Sequence, residues 1–185
     1  MRYRLLGILV LLGFLVLPGL GKAEQVTYRH EGSPLFSITF PEGWYLDSDF
    51  ESDARAAGTY SEGEATLRIL EAMPGDGTKL WFGVWTAPKA TTLERGLEYV
   101  ASLDGSLFTD VEASEPQRTS LGGMEARSFF GKARREGEEV EYAVAVFEPR
   151  AGVVAVALYV GRPQTWEKHE EELTGIVASL QPAGN

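Results

Sequence analysis

The sequence contains no cysteine and only two histidines, His30 and His169. Without thiols, the chain has no disulfides, no lipid attached at a processed N-terminal cysteine and no thiolate metal ligands. Zinc is therefore disfavoured, because two imidazoles supply few of the ligands that it needs. His169 has glutamates on both sides, at Glu167 and at Glu170 to Glu172, which predicts an exposed, charged face on a C-terminal helix.

Basic residues are also scarce. The chain has 17 Lys and Arg against 27 Asp and Glu, a formal net charge of −10. Such a surface repels phosphate backbones and anionic headgroups, so nucleic acid is not an expected partner. Solubility alone explains the excess of acids, and a cationic partner is the alternative.

No apolar run is long enough to span a bilayer. The longest, Leu5 to Leu17, has about 13 residues, whereas a transmembrane helix needs roughly 20. Two arginines precede it, and Pro18, Gly19 and a small-residue segment ending at Ala23 follow it, which is the anatomy of a signal peptide. We predict a signal peptide over residues 1–23, cleavage after Ala23, and release into the periplasm or an equivalent exported space without stable membrane insertion.

Removing residues 1–23 leaves 162 of the 185 residues, which suits one domain, residues 24–185. The segment carries three of the basic residues and none of the acids, so its loss changes the net charge from −10 to −13.

Period-two patterns predict most of the strands. Phe36, Ile38 and Phe40 alternate with polar residues until Pro41 and Gly43 end the strand. Six further strands are predicted: Leu67–Met73, Leu80–Thr86, Val111–Thr119, Met124–Ala133, Val140–Phe147 and Val153–Val160. Two pairs of them form hairpins, one across Pro74–Lys79 and one with its tip in Gly131–Glu139. The charged tip, with Lys132, Arg134 and Arg135, is interpreted as a solvated turn in preference to a basic contact point.

Helical periodicity appears twice. Thr91–Gly105 places Leu93, Leu97, Val100 and Ala101 on one face, with Thr91 and Glu94 at capping-box spacing and Gly105 as the stop. The closing segment, "PQTWEKHEEELTGIVASL", is the second helix. The strand "VVAVALYV" is apolar at every position and needs cover on both faces, and Trp81 and Trp85 are expected to pack beneath a helix. Two helices covering an antiparallel sheet satisfy both requirements.

This order of parts resembles the PsbP-like superfamily. The resemblance is carried by "SITFPEGW", the following hairpin and helix, "TSLGGMEARSFFG", and the closing amphipathic helix, over Phe36 to Leu180. It implies an α+β fold, an α/β/α sandwich with a central antiparallel sheet. Members mainly bind other proteins and share no catalytic residue set, so the resemblance implies neither a reaction nor a cofactor.

Beyond Trp44, four acids stand at every second position: Asp47, Asp49, Glu51 and Asp53. An EF-hand loop also needs Gly at its sixth position and a bidentate ligand at its twelfth, where this chain has Ser52 and Gly58. We interpret the segment as a flexible, solvated acidic loop that steers a cationic partner, with Trp44 packing against the body. A metal site gathered by the loop is the alternative.

No complete catalytic motif is present. Around Ser61, Thr59 stands where a nucleophile elbow requires glycine. The leading hypothesis is an exported, non-catalytic protein-binding or assembly module with another envelope protein as partner. Its candidate binding residues are Trp44, Asp47, Asp49, Glu51 and Asp53, with no catalytic residue, metal ligand or cofactor assigned. A periplasmic hydrolase and a small-ligand or cation-binding protein are the alternatives.

Overall fold

The computed structural model describes residues 23–53, 66–103 and 107–184. Two helices and eleven strands form within these ranges, with the following bounds: β1 (Glu24–His30), β2 (Ser33–Phe40), β3 (Trp44–Asp53), β4 (Thr66–Pro74), β5 (Leu80–Thr86), α1 (Leu93–Ser102), β6 (Thr109–Ala113), β7 (Gln117–Leu121), β8 (Met124–Arg135), β9 (Glu138–Arg150), β10 (Val153–Gly161), α2 (Pro163–Ala178) and β11 (Gln181–Pro182). Residues 1–22 of the predicted signal segment, and Gly105, lie outside the described residues. No described helix is both long and apolar enough to cross a membrane.

The strands form two antiparallel sheets. The larger has eight strands in the order β3-β4-β5-β10-β9-β8-β6, with β7 also paired to β8, and the smaller is β1-β2-β11. The fold is therefore α+β with antiparallel sheets. Strand β3 ends the order of the larger sheet at one side, which places the "PEGW" segment at a sheet edge.

Strand β10 lies at the centre of the larger sheet, and its side chains enter two separate hydrophobic clusters. Ala155, Ala157 and Tyr159 pack in one cluster with residues of α2 and the smaller sheet. Val154 and Val156 pack in the other with residues of α1. Because neighbouring side chains of a strand point to opposite faces, both faces of β10 are covered. The prediction from "VVAVALYV" is confirmed.

Helix α1 forms, but its N-cap and part of its buried face differ from the predicted ones. Thr92, not Thr91, accepts the Arg95 N–H at 3.3 Å. Leu93, Gly96 and Tyr99 are buried, and the predicted Leu97 and Val100 are partly buried against the same cluster, whereas Ala101 is exposed. A Cβ at Gly96 would lie 2.5 Å from Val146 Cγ1, so the missing side chain brings the helix backbone close to the sheet and turns its face. An apolar-residue pattern does not register this contact.

Two tryptophan predictions are confirmed on the same side of the sheet. Trp85 is buried, Trp81 is partly buried, and both belong to the cluster that contains α1. Trp85 Nε1 donates to the Tyr99 hydroxyl at 3.1 Å, so strand and helix share a buried hydrogen bond.

One predicted strand divides into two. The span Val111–Thr119 is β6 and β7, which separate at Ser114–Pro116. Pro116 lacks the N–H that a continuous ladder needs. Strands β1, β3 and β11 are additional to the predicted set.

Candidate functional site

The "PEGW" segment is a tight turn that connects β2 of the smaller sheet to β3 of the larger sheet. β2 ends at Phe40, before Pro41, and β3 begins at Trp44. Gly43 has φ +83°, a left-handed conformation that glycine adopts without steric cost. Trp44 is partly buried against the core, with its ring centroid 6.2 Å from that of Phe40. The predicted strand end and packing tryptophan are therefore confirmed.

The sequence suggested that the acidic segment is a loop. That prediction is wrong, because β3 continues to Asp53. β4 supplies its ladder partners: Asp47 pairs with Glu71 and Glu51 with Arg68. The register shifts between Asp47 and Phe50, so a regular period-two alternation is interrupted there. The Asp47 side chain is exposed. The side chains of Asp49, Glu51 and Asp53 lie outside what the structure describes.

A close backbone contact joins this turn to the loop after β4. The Gly75 N–H donates to the Gly43 carbonyl at 2.6 Å. A Cβ at Gly75 would lie 2.5 Å from that carbonyl oxygen and 3.3 Å from Tyr45 Cε2. Only glycine fits between the two segments, so the positions of Trp44 and Tyr45 depend on it.

Helix α2 contributes a buried histidine to this region, whereas the sequence predicted an exposed one. His169 is 5% exposed. Its Nδ1 lies 2.7 Å from Glu172 Oε2, and its Nε2 lies 3.3 Å from Thr78 Oγ1. Trp44 Nε1 donates to the same Glu172 oxygen at 3.2 Å. His169 is buried because it shares a helical face with Leu173 and other core residues, a periodicity that the flanking glutamates obscured.

Asp76 links the loop after β4 to the same helix. It accepts the Thr78 N–H at 2.8 Å and the Lys168 ammonium at 2.5 Å, and its Oδ2 lies 3.4 Å from His169 Nε2. The hydrogen bond from Lys168 is the main cause that holds the pKa of this carboxyl well below its ordinary value, and hydrogen bonds from Thr78 add to the effect. Asp76 therefore remains ionised in all but strong acid.

These three segments enclose an open pocket of about 540 Å³. Its lining combines two aromatic rings, three carboxylates, the buried imidazole and the backbone of the two joined turns: Glu42, Gly43, Trp44, Tyr45, Pro74, Gly75, Asp76, His169 and Glu172. Of the five binding residues predicted from sequence, Trp44 lines the pocket. Asp47 is not part of its lining.

Two solved structures are similar to this fold over most of the chain. The solution structure of cyanobacterial PsbP (CyanoP) from Synechocystis sp. PCC 6803 is similar with a TM-score of 0.60 and 11% sequence identity, over 92% of this chain and 98% of that chain. PA94 from Pseudomonas aeruginosa, a protein of unknown function, is similar with a TM-score of 0.53 and 13% identity, over 87% of this chain and 99% of that chain. The chain has a PsbP-like fold.

No family model and no curated protein sequence matches the chain. At 11% to 13% identity, the similarity is one of PsbP-like fold alone, so the chemistry of the site follows from this chain's own residues. Among the described residues, no group of three or more His, Cys, Asp or Glu side chains is arranged to hold a metal ion.

The basic hairpin tip has the contacts of a solvated turn. β8 and β9 are its arms. The Lys132 ammonium lies 3.6 Å from Glu141 Oε1, and Arg134 Nη2 donates to the Gly137 carbonyl at 2.8 Å. These charges are already engaged within the hairpin, which favours the interpretation as a turn.

Proposed function

We propose that this protein is an exported, non-catalytic protein-binding module that engages an envelope protein through the pocket at the "PEGW" turn. One observation carries the proposal: Tyr45, at the pocket, is 71% exposed and its hydroxyl has no hydrogen-bond partner among the described residues. Rigid aromatic side chains beside a pocket are typical anchors of protein interfaces.

The fold supports this use of the pocket. We infer an α/β/α layering in which α1 and α2 cover opposite faces of the larger sheet, as their membership in different core clusters indicates. Trp44 and Leu46 of β3 pack against the core cluster that contains α2, together with Leu70 and Ala72 of β4, so the pocket is mounted on packed elements and loses little conformational entropy on binding.

Export is part of the proposal. β1 begins at Glu24, so cleavage after Ala23 would leave every described strand and helix intact. Intact-mass measurement of the processed protein should show loss of residues 1–23, and full-length protein held in the membrane would contradict it.

Position-specific crosslinking tests the binding face. A photoreactive residue replaces Tyr45 in the protein expressed in its native cells, and a matched control replaces Phe130, which is 67% exposed on β8. We expect a discrete crosslinked protein from position 45 that is absent from position 130. Equal products from both positions, or none from position 45, would contradict the proposed face.

A hydrolase is the second candidate, because Glu172, His169 and Thr78 follow one another as acid, imidazole and hydroxyl. The arrangement differs from a nucleophilic triad in two respects. The Thr78 hydroxyl also accepts from the Lys168 ammonium at 3.2 Å, and His169 Nε2 is shared with the Asp76 carboxylate. An unbiased activity screen separates the two functions: turnover abolished by both Thr78→Ala and His169→Ala would favour the enzyme.

A further inference from the structure

We infer that the pocket binds an arginine side chain of the partner protein, with the guanidinium held between the pocket's aromatic rings and its carboxylates. The inference rests on the proposed binding function and adds the chemistry by which the partner is recognised. It begins from the charge of the pocket.

The pocket is a site for a cation. Glu42, Asp76 and Glu172 contribute three carboxylates, and the described lining contains no Lys or Arg. Asp76 is neutralised by Lys168, whereas Glu42 is exposed and has no ion-pair or hydrogen-bond partner among the described residues. Glu172 uses Oε2 for both Trp44 and His169. The lining therefore repels an anion and attracts a positive charge.

The aromatic rings favour guanidinium over other cations. Trp44 and Tyr45 line the pocket, and a planar guanidinium stacks on aromatic rings while its N–H groups reach carboxylates. A lysine ammonium is a compact, strongly hydrated charge without this planar fork. Calcium takes six to eight oxygen ligands, and one of the three carboxylates here is already bound to Lys168.

The surroundings of the pocket suit a side chain presented by a protein. Tyr45 and Met73 are direct cross-strand partners on β3 and β4. They are 71% and 44% exposed and form an apolar pair beside the carboxylates. An apolar anchor next to a charged contact is the composition of a protein interface. A free amino acid would leave this pair in water, so the partner is expected to cover it.

The backbone of the turn and the Glu172 carboxylate are held in place before binding. Gly75 fixes the turn that carries Glu42 and Trp44, and His169 anchors the Glu172 carboxylate. Fewer side chains must be ordered when the guanidinium enters, which favours specificity for one shape of cation.

The test uses two-dimensional NMR on isotope-labelled protein as isolated from the producing cells. The Trp44 indole N–H, identified by its loss in Trp44→Phe, is the reporter. The probes are three capped pentapeptides, Gly-Gly-X-Gly-Gly with X as arginine, lysine or citrulline, together with free L-arginine. We expect saturable shifts of the Trp44 indole and of residues 42–45 and 74–76 with the arginine peptide, weaker binding of lysine and free arginine, and no response to citrulline.

Charge-neutral variants locate the contact. We expect Glu42→Gln and Glu172→Gln each to weaken binding roughly threefold, the double variant roughly tenfold, and added salt to weaken it further. The control Glu170→Gln removes the same charge from an exposed position of α2 outside the pocket lining, and it should bind as the unaltered protein does. Since the Glu42 side chain makes no contact that folding requires, its variant remains informative if Glu172→Gln unfolds.

Four results would overturn the inference: no saturable shift with the arginine peptide, equal binding of citrulline or lysine, equal binding of free arginine, or unchanged affinity in the double variant. The crosslinking at Tyr45 has a separate outcome. If position 45 captures a partner while the arginine peptide fails, the binding face stands and only its proposed specificity is wrong. If both fail, the proposed function fails with it.

Discussion

Replacing Gly75 with alanine should loosen the pocket and destabilise the domain. The added Cβ would lie 2.5 Å from the Gly43 carbonyl oxygen. Ordinary contacts of carbon lie near 3.5 Å, so the two segments must separate by about 1 Å. The hydrogen bond from the Gly75 N–H, now 2.6 Å, would then exceed the usual limit for such a bond.

The expected change in the free energy of unfolding combines two costs and one gain. Overpacking costs about 1–3 kcal/mol, and the lost hydrogen bond costs about 1 kcal/mol. Alanine also restricts the unfolded chain, which returns about 0.4–1 kcal/mol. We expect the free energy of unfolding to fall by about 2 kcal/mol in the Gly75→Ala variant.

The matched control is Gly175→Ala in α2, where an added Cβ meets nothing within 4 Å. Here alanine should stabilise by about 0.5–1 kcal/mol, because glycine is the poorer helix former. Urea unfolding at constant slope gives both values, and the Trp44 indole resonance should move only in Gly75→Ala. Similar gains in stability from both variants would refute the close contact.

Three further predictions concern the same edge of the domain. Trp44→Ala should lower the free energy of unfolding by about 2 kcal/mol, since its ring is only partly buried, and Trp44→Phe should lose less in the same denaturation assay. The depressed pKa of Asp76 implies stability that is fully present above the ordinary pKa of 3.8 and lost as pH falls toward the lower folded value. Lys168→Met should therefore lower the melting temperature at pH 7, by an amount that shrinks in strong acid; a constant difference would contradict this. Neutralising the four alternating acids, Asp47, Asp49, Glu51 and Asp53, should leave the free energy of unfolding within about 0.5 kcal/mol. It should also slow association with a cationic partner at low salt. Stoichiometric calcium binding in calorimetry that is lost in Asp49→Asn would contradict the steering role.

The strands that could be predicted from sequence are those with an apolar face of their own. Phe36, Ile38 and Phe40 form one continuous buried row in β2, and period two reveals it. The acid-rich β3 has no comparable pattern, because it lies at the edge of the sheet and draws its ladder from β4. Charges on an edge strand also discourage pairing with another chain, so the feature that concealed the strand suits its position.

The candidate site was predicted only in part, because some of its residues have a local sequence signature and others depend on contacts with distant residues. Trp44 stood out because its turn has a local signature, and the structure places it in the pocket. His169 was assigned to an exposed face because glutamates surround it in sequence. Its burial depends on Thr78 and Asp76, which lie about 90 residues away and approach only when α2 packs on the sheet edge.

The pocket is therefore a property of the completed domain. Its hydrogen bond between Trp44 and Glu172 spans 128 residues, and the pair between Asp76 and Lys168 spans 92. Contacts this distant in sequence carry a high loop-closure cost, and no single segment can form them. A chain in which α2 has not docked has neither the buried imidazole nor the anchored Glu172 carboxylate. Binding through this pocket would then distinguish folded protein from incomplete protein, a useful restriction for a module whose proposed role is to join other proteins.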